Sequence, residues 1–139
     1  MKTSVLEKGV LTTILLASVV ILIACRSRTE TALQTVLGPE RSFVTVEASA
    51  DEGGVGFGDS TYAYSLVTQN GLTLLSNVPK ARFRDDMDFA RANVEELLKR
   101  TLPPTKTVDL YRTTTDAGWS IYVLTTTNTN KVYLLVLTM

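Results

Sequence analysis

Beyond residue 40 the hydrophobic period of the chain alternates between two and about 3.6, and the switches outline its elements. RSFVTVEA at 41–48 alternates, with Val44, Val46 and Ala48 on one face, as a half-buried strand does. Thr61 to Thr68 and Leu72 to Val78 are β-like runs separated by Gln69-Asn70-Gly71. Asn-Gly is the favoured pair of a type I′ turn, so these two runs are expected to form a hairpin. From Asp85 to Arg100 the spacing changes: Met87, Ala90, Val94, Leu97 and Leu98 recur as one face of a helix, and Pro103-Pro104 prevent its continuation. Asp85, Asp86 and Asp88 complement the positive end of that helix, and Lys99 and Arg100 the negative end, with Glu95–Lys99 and Glu96–Arg100 spaced as ion pairs. Three more strands follow, Thr107 to Thr115, Trp119 to Thr127 and Lys131 to Thr138, joined by turns short enough for antiparallel neighbours. Trp119, Ile121 and Val123 share one face, whereas KVYLLVLT at 131–138 is apolar on both and belongs inside the sheet. The order β-ββ-α-βββ predicts an α+β fold, an antiparallel sheet of about six strands with one helix packed on a face.

The N-terminal part has a different texture. Lys2 and Lys8 precede Val10 to Ala24, an uninterrupted run without charges. As a helix that run spans about 22 Å, short of the roughly 30 Å hydrocarbon core of a bilayer, and it matches the h-region of a secretory signal. After it, Ser27 and Glu30 have capping-box spacing, Ala32, Leu33, Val36 and Leu37 form an apolar side, and Gly38-Pro39 supply a stop. A short helical linker is expected at 25–40, between a signal peptide at 1–24 and a globular domain at 41–139.

Leu22-Ile23-Ala24-Cys25 resembles the lipobox of bacterial lipoproteins, in which a small residue precedes an obligatory cysteine. The resemblance covers only the signal and its junction. It implies cleavage between Ala24 and Cys25, acylation of the Cys25 thiol and of the new N-terminus with palmitate-type chains, and attachment to the cell envelope. Several acyl chains hold a protein durably where one does not. The sorting pattern of that class places an Asp after the cysteine for inner-membrane retention; Arg26 stands there, which implies the outer membrane, facing the periplasm. Three alternatives stay open. The run could persist as a single-pass anchor, since Arg26 and Arg28 balance Lys2 and Lys8 and give no orientation. Lys8-Gly9 before an apolar helix resembles the start of pilin-like proteins, although Ile14 stands where these carry an acid. Finally, the cysteine could end an ordinary signal peptide by chance.

Composition narrows the chemistry further. The chain has 139 residues, no His and one Cys, which removes the commonest general base, an internal disulfide and a thiolate metal cluster. Without residues 1–24 it carries 12 basic and 13 acidic residues, no basis for binding nucleic acid. No cofactor is expected.

Four clusters remain. Gly53-Gly54-Val55-Gly56-Phe57-Gly58-Asp59 lacks the Lys and following helix of a phosphate loop, and Asp51, Glu52 and Asp59 would repel a phosphate. It resembles a glycine-rich calcium nonapeptide with the Asp one place late, making Asp51, Glu52 and Asp59 metal candidates beside the plainer reading of a loop between strands. Asp85, Asp86 and Asp88 could bind a metal but are explained by helix capping. Lys80, Arg82 and Arg84 alternate through PKARFR and could meet anionic lipid, cell wall or a partner, as a solvated loop edge also would look. Tyr111, Tyr122 and Tyr133, one per C-terminal strand, could with Tyr62 and Tyr64 make an aromatic face, or simply stabilise the sheet. With no nucleophile motif, the expectation is a non-enzymatic, lipid-anchored accessory or binding module that contacts an envelope protein or the cell wall. The alternatives are a structural subunit of an envelope or secretion assembly that keeps its N-terminal helix, and a glycan hydrolase, which would need two facing carboxylates.

Overall fold

The alternating runs pair into one five-stranded antiparallel sheet in the computed structural model of the chain, which describes residues 28–53, 59–127 and 129–139. A helix, α1, occupies residues 28–37 and is followed by a 3-10 turn, Gly38–Phe43. The strands are β1 (Val44–Gly53), β2 (Ser60–Thr68), β3 (Val108–Thr114), β4 (Ser120–Thr126) and β5 (Lys131–Thr138), and α2 (Arg84–Leu98) connects β2 to β3. Their spatial order is β1-β2-β5-β4-β3. The architecture is α+β.

The doubly apolar run 131–138 forms β5, whose interior side chains are buried on both faces between β2 and β4. Along each strand alternate residues point to opposite sides and so build two cores. On one side Tyr62, Tyr64 and Leu66 of β2 meet Val132, Leu134 and Val136 of β5 and Ile121 and Val123 of β4. On the other, Ala63, Tyr133, Leu135, Tyr122, Leu124 and Leu110 lie against Ala90 and Val94 of α2. Ala63 and Ala90, both fully buried in this layer, keep the contact surfaces small, which lets a helix approach a sheet closely.

Three expectations are corrected. The expected sixth strand, Leu72 to Val78, is instead a 3-10 turn at Thr73–Leu75 followed by a turn through Asn77. Both sides of β2 are already taken, by β1 and β5, so no ladder is left for a hairpin partner there. Leu72 is buried instead in the first core, Leu74 and Leu75 pack on it, and the Glu40 carboxylate accepts the Thr73 N–H. Asn70-Gly71 still turns the chain, with Gly71 at φ 72° and its carbonyl accepting from the Thr68 hydroxyl at 3.0 Å.

The second correction concerns the 25–40 linker. In its described part, Ala32, Leu33 and Leu37 are buried in the same core as Tyr64, Leu66 and Leu134, with Leu33 fully inaccessible. The packed body therefore includes α1, and a helix lies against each face of the sheet. Ser27 of the expected capping box lies outside the described residues, and Glu30 is engaged elsewhere: it takes a two-pronged ion pair from Arg41, at 2.7 and 2.9 Å. Gly38, at φ 59°, ends the helix as expected of a residue free of Cβ strain.

Third, β1 does not keep Val44, Val46 and Ala48 on one face. Its register with β2 runs Val46↔Leu66 and then Ala48↔Ser65, so Glu47 is a bulge. That extra residue turns Ala48 toward the α2 side. The helix α2 also ends two residues early, with Lys99 in the left-handed conformation and the Arg100 N–H closing on the Glu95 carbonyl at 3.3 Å. Glu95 thus pairs not with Lys99 but with Arg91 at 3.5 Å, and accepts the Leu102 N–H at 3.0 Å, fastening the exit from the helix.

Candidate functional site

The sheet distributes the candidate residues rather than gathering them. Ala24 and Cys25 lie outside the described residues. Tyr122 and Tyr133 are buried under α2, where Phe89 tilts against the Tyr122 ring at 5.4 Å and the Arg112 guanidinium sits 5.3 Å from its centre. Tyr111 faces the opposite core, as do Tyr62 and Tyr64, whose rings stack at 6.5 Å. The five tyrosines therefore belong to two internal layers and do not form one exposed aromatic face.

Of Lys80, Arg82 and Arg84, Lys80 lies along the outer side of β3 and Arg84 opens α2. Lys80 forms a β-bridge with Tyr111, and the Ala81 N–H donates to the Leu110 carbonyl at 2.8 Å, so this segment covers part of that sheet edge. Acids alternate with the bases. Asp109 pairs with Lys80 at 3.1 Å, Asp86 with Arg112 at 3.8 Å and Asp88 with Arg84 at 3.9 Å. The Asp109 hydrogen bond and charge push the Lys80 ammonium above its ordinary value. The region is a charge-mixed patch and not a basic stripe, and exposed Phe83 sits within it. No side chain caps the N-terminus of α2, where Phe83 occupies the cap position; Asp85 and Asp86 act there through the helix dipole.

Asp51, Glu52 and Asp59 stand at the other edge of the sheet. Asp51 and Glu52 are consecutive in β1, opposite Tyr62 and Thr61, and so project to opposite faces. Among the described residues no three His, Cys, Asp or Glu side chains converge as metal ligands. The glycan-hydrolase reading required two carboxylates facing each other; Asp51 and Glu52 project to opposite faces, and Asp86 and Asp88 pair with Arg112 and Arg84. Residues 54–58 of the glycine-rich loop lie outside the described residues, while β1 and β2 on either side of it pair with each other.

What the fold does assemble is a groove of about 500 Å³ between α1 and β1. Leu33 from the helix and Val46 and Tyr64 from the sheet supply apolar surface, and Thr29, Ser49 and the Glu30–Arg41 pair border it. Arg41 also donates to the Val44 carbonyl at 3.0 Å, which ties the 3-10 turn to the start of β1. None of these residues stands out in the sequence, and Glu30 and Leu33 fall in a segment whose pattern suits a linker equally well. Only the bulge signals the site, and a bulge has no residue signature here.

No family model, curated protein or solved structure matches this chain. Its chemistry has to be read from its own residues. In the groove the Tyr64 hydroxyl donates to the Thr29 carbonyl at 2.8 Å, pinning α1 to the sheet. Burial raises the Tyr64 phenol far above its ordinary range, and the charges of Tyr62, Glu30 and Asp51 act in the same direction. Native Tyr64 thus keeps a proton that the unfolded chain releases near pH 10, so its contribution to stability is lost as pH rises beyond that value. Urea unfolding between pH 8 and pH 11.5 should show a midpoint that falls above about pH 10, and a shallower fall in Tyr64→Phe. The variant should begin about 1 kcal/mol lower at neutral pH, because the hydrogen bond from the Tyr64 hydroxyl to the Thr29 carbonyl is lost. Equal slopes in the two proteins would contradict this account.

Proposed function

We propose that this chain is a lipid-anchored lipoprotein of the bacterial envelope, acting as an accessory or binding module through contacts with an envelope protein or the cell wall. One observation carries the reading: a charge-free run, Val10 to Ala24, delivers Leu22-Ile23-Ala24 directly onto the chain's single cysteine, Cys25. With no second thiol and no histidine, an internal disulfide and a thiolate–imidazole pair are closed to that cysteine, and lipidation gives it a purpose. Arg26 directs the anchor to the outer membrane, facing the periplasm. Among the described residues no helix is long and apolar enough to cross a membrane.

Intact mass of the membrane-extracted protein tests the proposal. The expected species lacks residues 1–24 and gains acyl mass on Cys25, and Cys25→Ser should accumulate at full length without acyl mass. A wild-type protein recovered at full length and unacylated overturns the reading.

A specific observation favours the second reading, an assembly subunit that retains its N-terminal helix as a single-pass or pilin-like stem. Only three residues separate the apolar run from helix 28–37, and that helix is packed on an antiparallel sheet instead of leading away from it. The same mass measurement distinguishes the two, since a stem is recovered uncleaved.

A further inference from the structure

We infer that the open edge of β1, between Ala48 and Glu52, is a strand-addition site for an extended, lysine- or arginine-bearing polypeptide segment. The inference deepens the binding-module part of the proposal above and does not depend on the lipid anchor.

The two edges of the sheet differ. The outer side of β3 is partly covered by the Lys80–Tyr111 bridge and the Ala81–Leu110 hydrogen bond. β1 pairs only with β2, and among the described residues no strand or turn meets its other side. At the start of β1 the Arg41 guanidinium occupies the Val44 carbonyl, and the Glu47 bulge interrupts the ladder. From Ala48 onward the register with β2 is regular to Gly53. Backbone donors and acceptors at strand spacing are complementary to another extended backbone, which is the chemistry of β-augmentation.

Two features specify the occupant. A strand laid along Ala48–Glu52 points alternate side chains toward the α1 side, where the groove over Val46, Tyr64 and Leu33 takes an apolar one. The edge strand itself carries Glu47, Asp51 and Glu52, all exposed; Asp51 projects to the α1 side, and Glu47 to the α2 side, where it accepts from Ser65. Lys131 reaches only Glu47, at 3.6 Å. A second copy pairing antiparallel through β1 would set these acids against one another, and like charges across a ladder are destabilising. A segment alternating cationic and apolar side chains meets both requirements.

The test uses the full chain in detergent micelles, ¹⁵N-labelled, titrated with an alternating lysine–valine octapeptide and with its glutamate–valine counterpart. The lysine peptide is expected to shift the amides of residues 48–52 and to slow their hydrogen exchange, and the glutamate peptide to do neither. In the Asp51→Lys/Glu52→Lys double variant, both positions exposed, the preference should reverse, with a change on the order of tenfold in each affinity at low salt. The inference is overturned if neither peptide acts, if the shifts centre on β3 or α2, if the double variant keeps the wild-type preference, or if the peptide-free protein sediments as a dimer through this edge. Binding by an unacylated, full-length chain would leave the inference standing while removing the lipoprotein reading.

Discussion

Leu33→Ala should lower the unfolding free energy by about 3 kcal/mol, as loss of a fully buried leucine does when the site cannot collapse around the cavity. Leu33 is inaccessible and shares a core with Tyr64, Leu66 and Leu134, so the cavity opens between α1 and the centre of the sheet. In a body of this size the melting temperature should fall by roughly 10–20 °C. A spacer helix between anchor and domain would tolerate the change with almost no effect. Thermal and urea unfolding followed by circular dichroism decide between them: a loss under about 0.5 kcal/mol would return α1 to the role of linker.

Val94→Asp should be more severe still, with a loss above about 4 kcal/mol, enough to leave a domain of ordinary marginal stability largely unfolded. Val94 is fully buried in the apolar cluster that α2 forms with Ala63 and Leu135. Val94→Ala should cost only about 2 kcal/mol and keep the fold. The comparison isolates burial of charge from loss of volume. Near-ultraviolet circular dichroism and Trp119 fluorescence provide the readout; a natively folded Val94→Asp protein at pH 7 would mean that α2 lifts easily from the sheet.

Legibility of the fold tracked how far each segment's pattern was decided locally. β5 was readable to the residue, because an uninterrupted apolar run has no stable place except between two strands. β2, β3 and β4 were readable within a residue at either end, since their alternation matches a sheet buried under helices. Leu72 to Val78 had strand-like composition, but its pairing depended on whether β2 had a free side, a property of the whole topology. The bulge at Glu47 was equally invisible, because one added residue changes the face of everything after it without altering local propensity.

The candidate site was less legible than the fold. Tyrosines one per strand suggest an aromatic face only if their parities agree; Tyr111 differs from Tyr122 and Tyr133, and this follows from register alone. Of the alternating bases, Lys80 meets Asp109 only once its segment lies beside β3, whereas Arg84 meets Asp88 within α2, and Asp86 is taken by Arg112 across the fold. The groove at β1 draws on residues from three separate segments, none distinctive by itself.

The position of Arg28 bears on orientation. Its guanidinium lies within about 3.5 Å of where a Cβ on Gly53 would stand, and Gly53 pairs with Ser60, which pairs in turn with Thr138. The described chain therefore begins at the pole of the sheet that also holds the end of β5. Three peptide steps from Cys25 to Arg28 span at most about 11 Å. A lipid on Cys25 would moor the body almost flush with the bilayer, with that pole downward and no slack to reach distant layers of the wall. The far pole, where the Thr68 N–H meets the Asn130 carbonyl and Gly71 turns the chain, would look outward, and β1 would stand like an upright rail between the two.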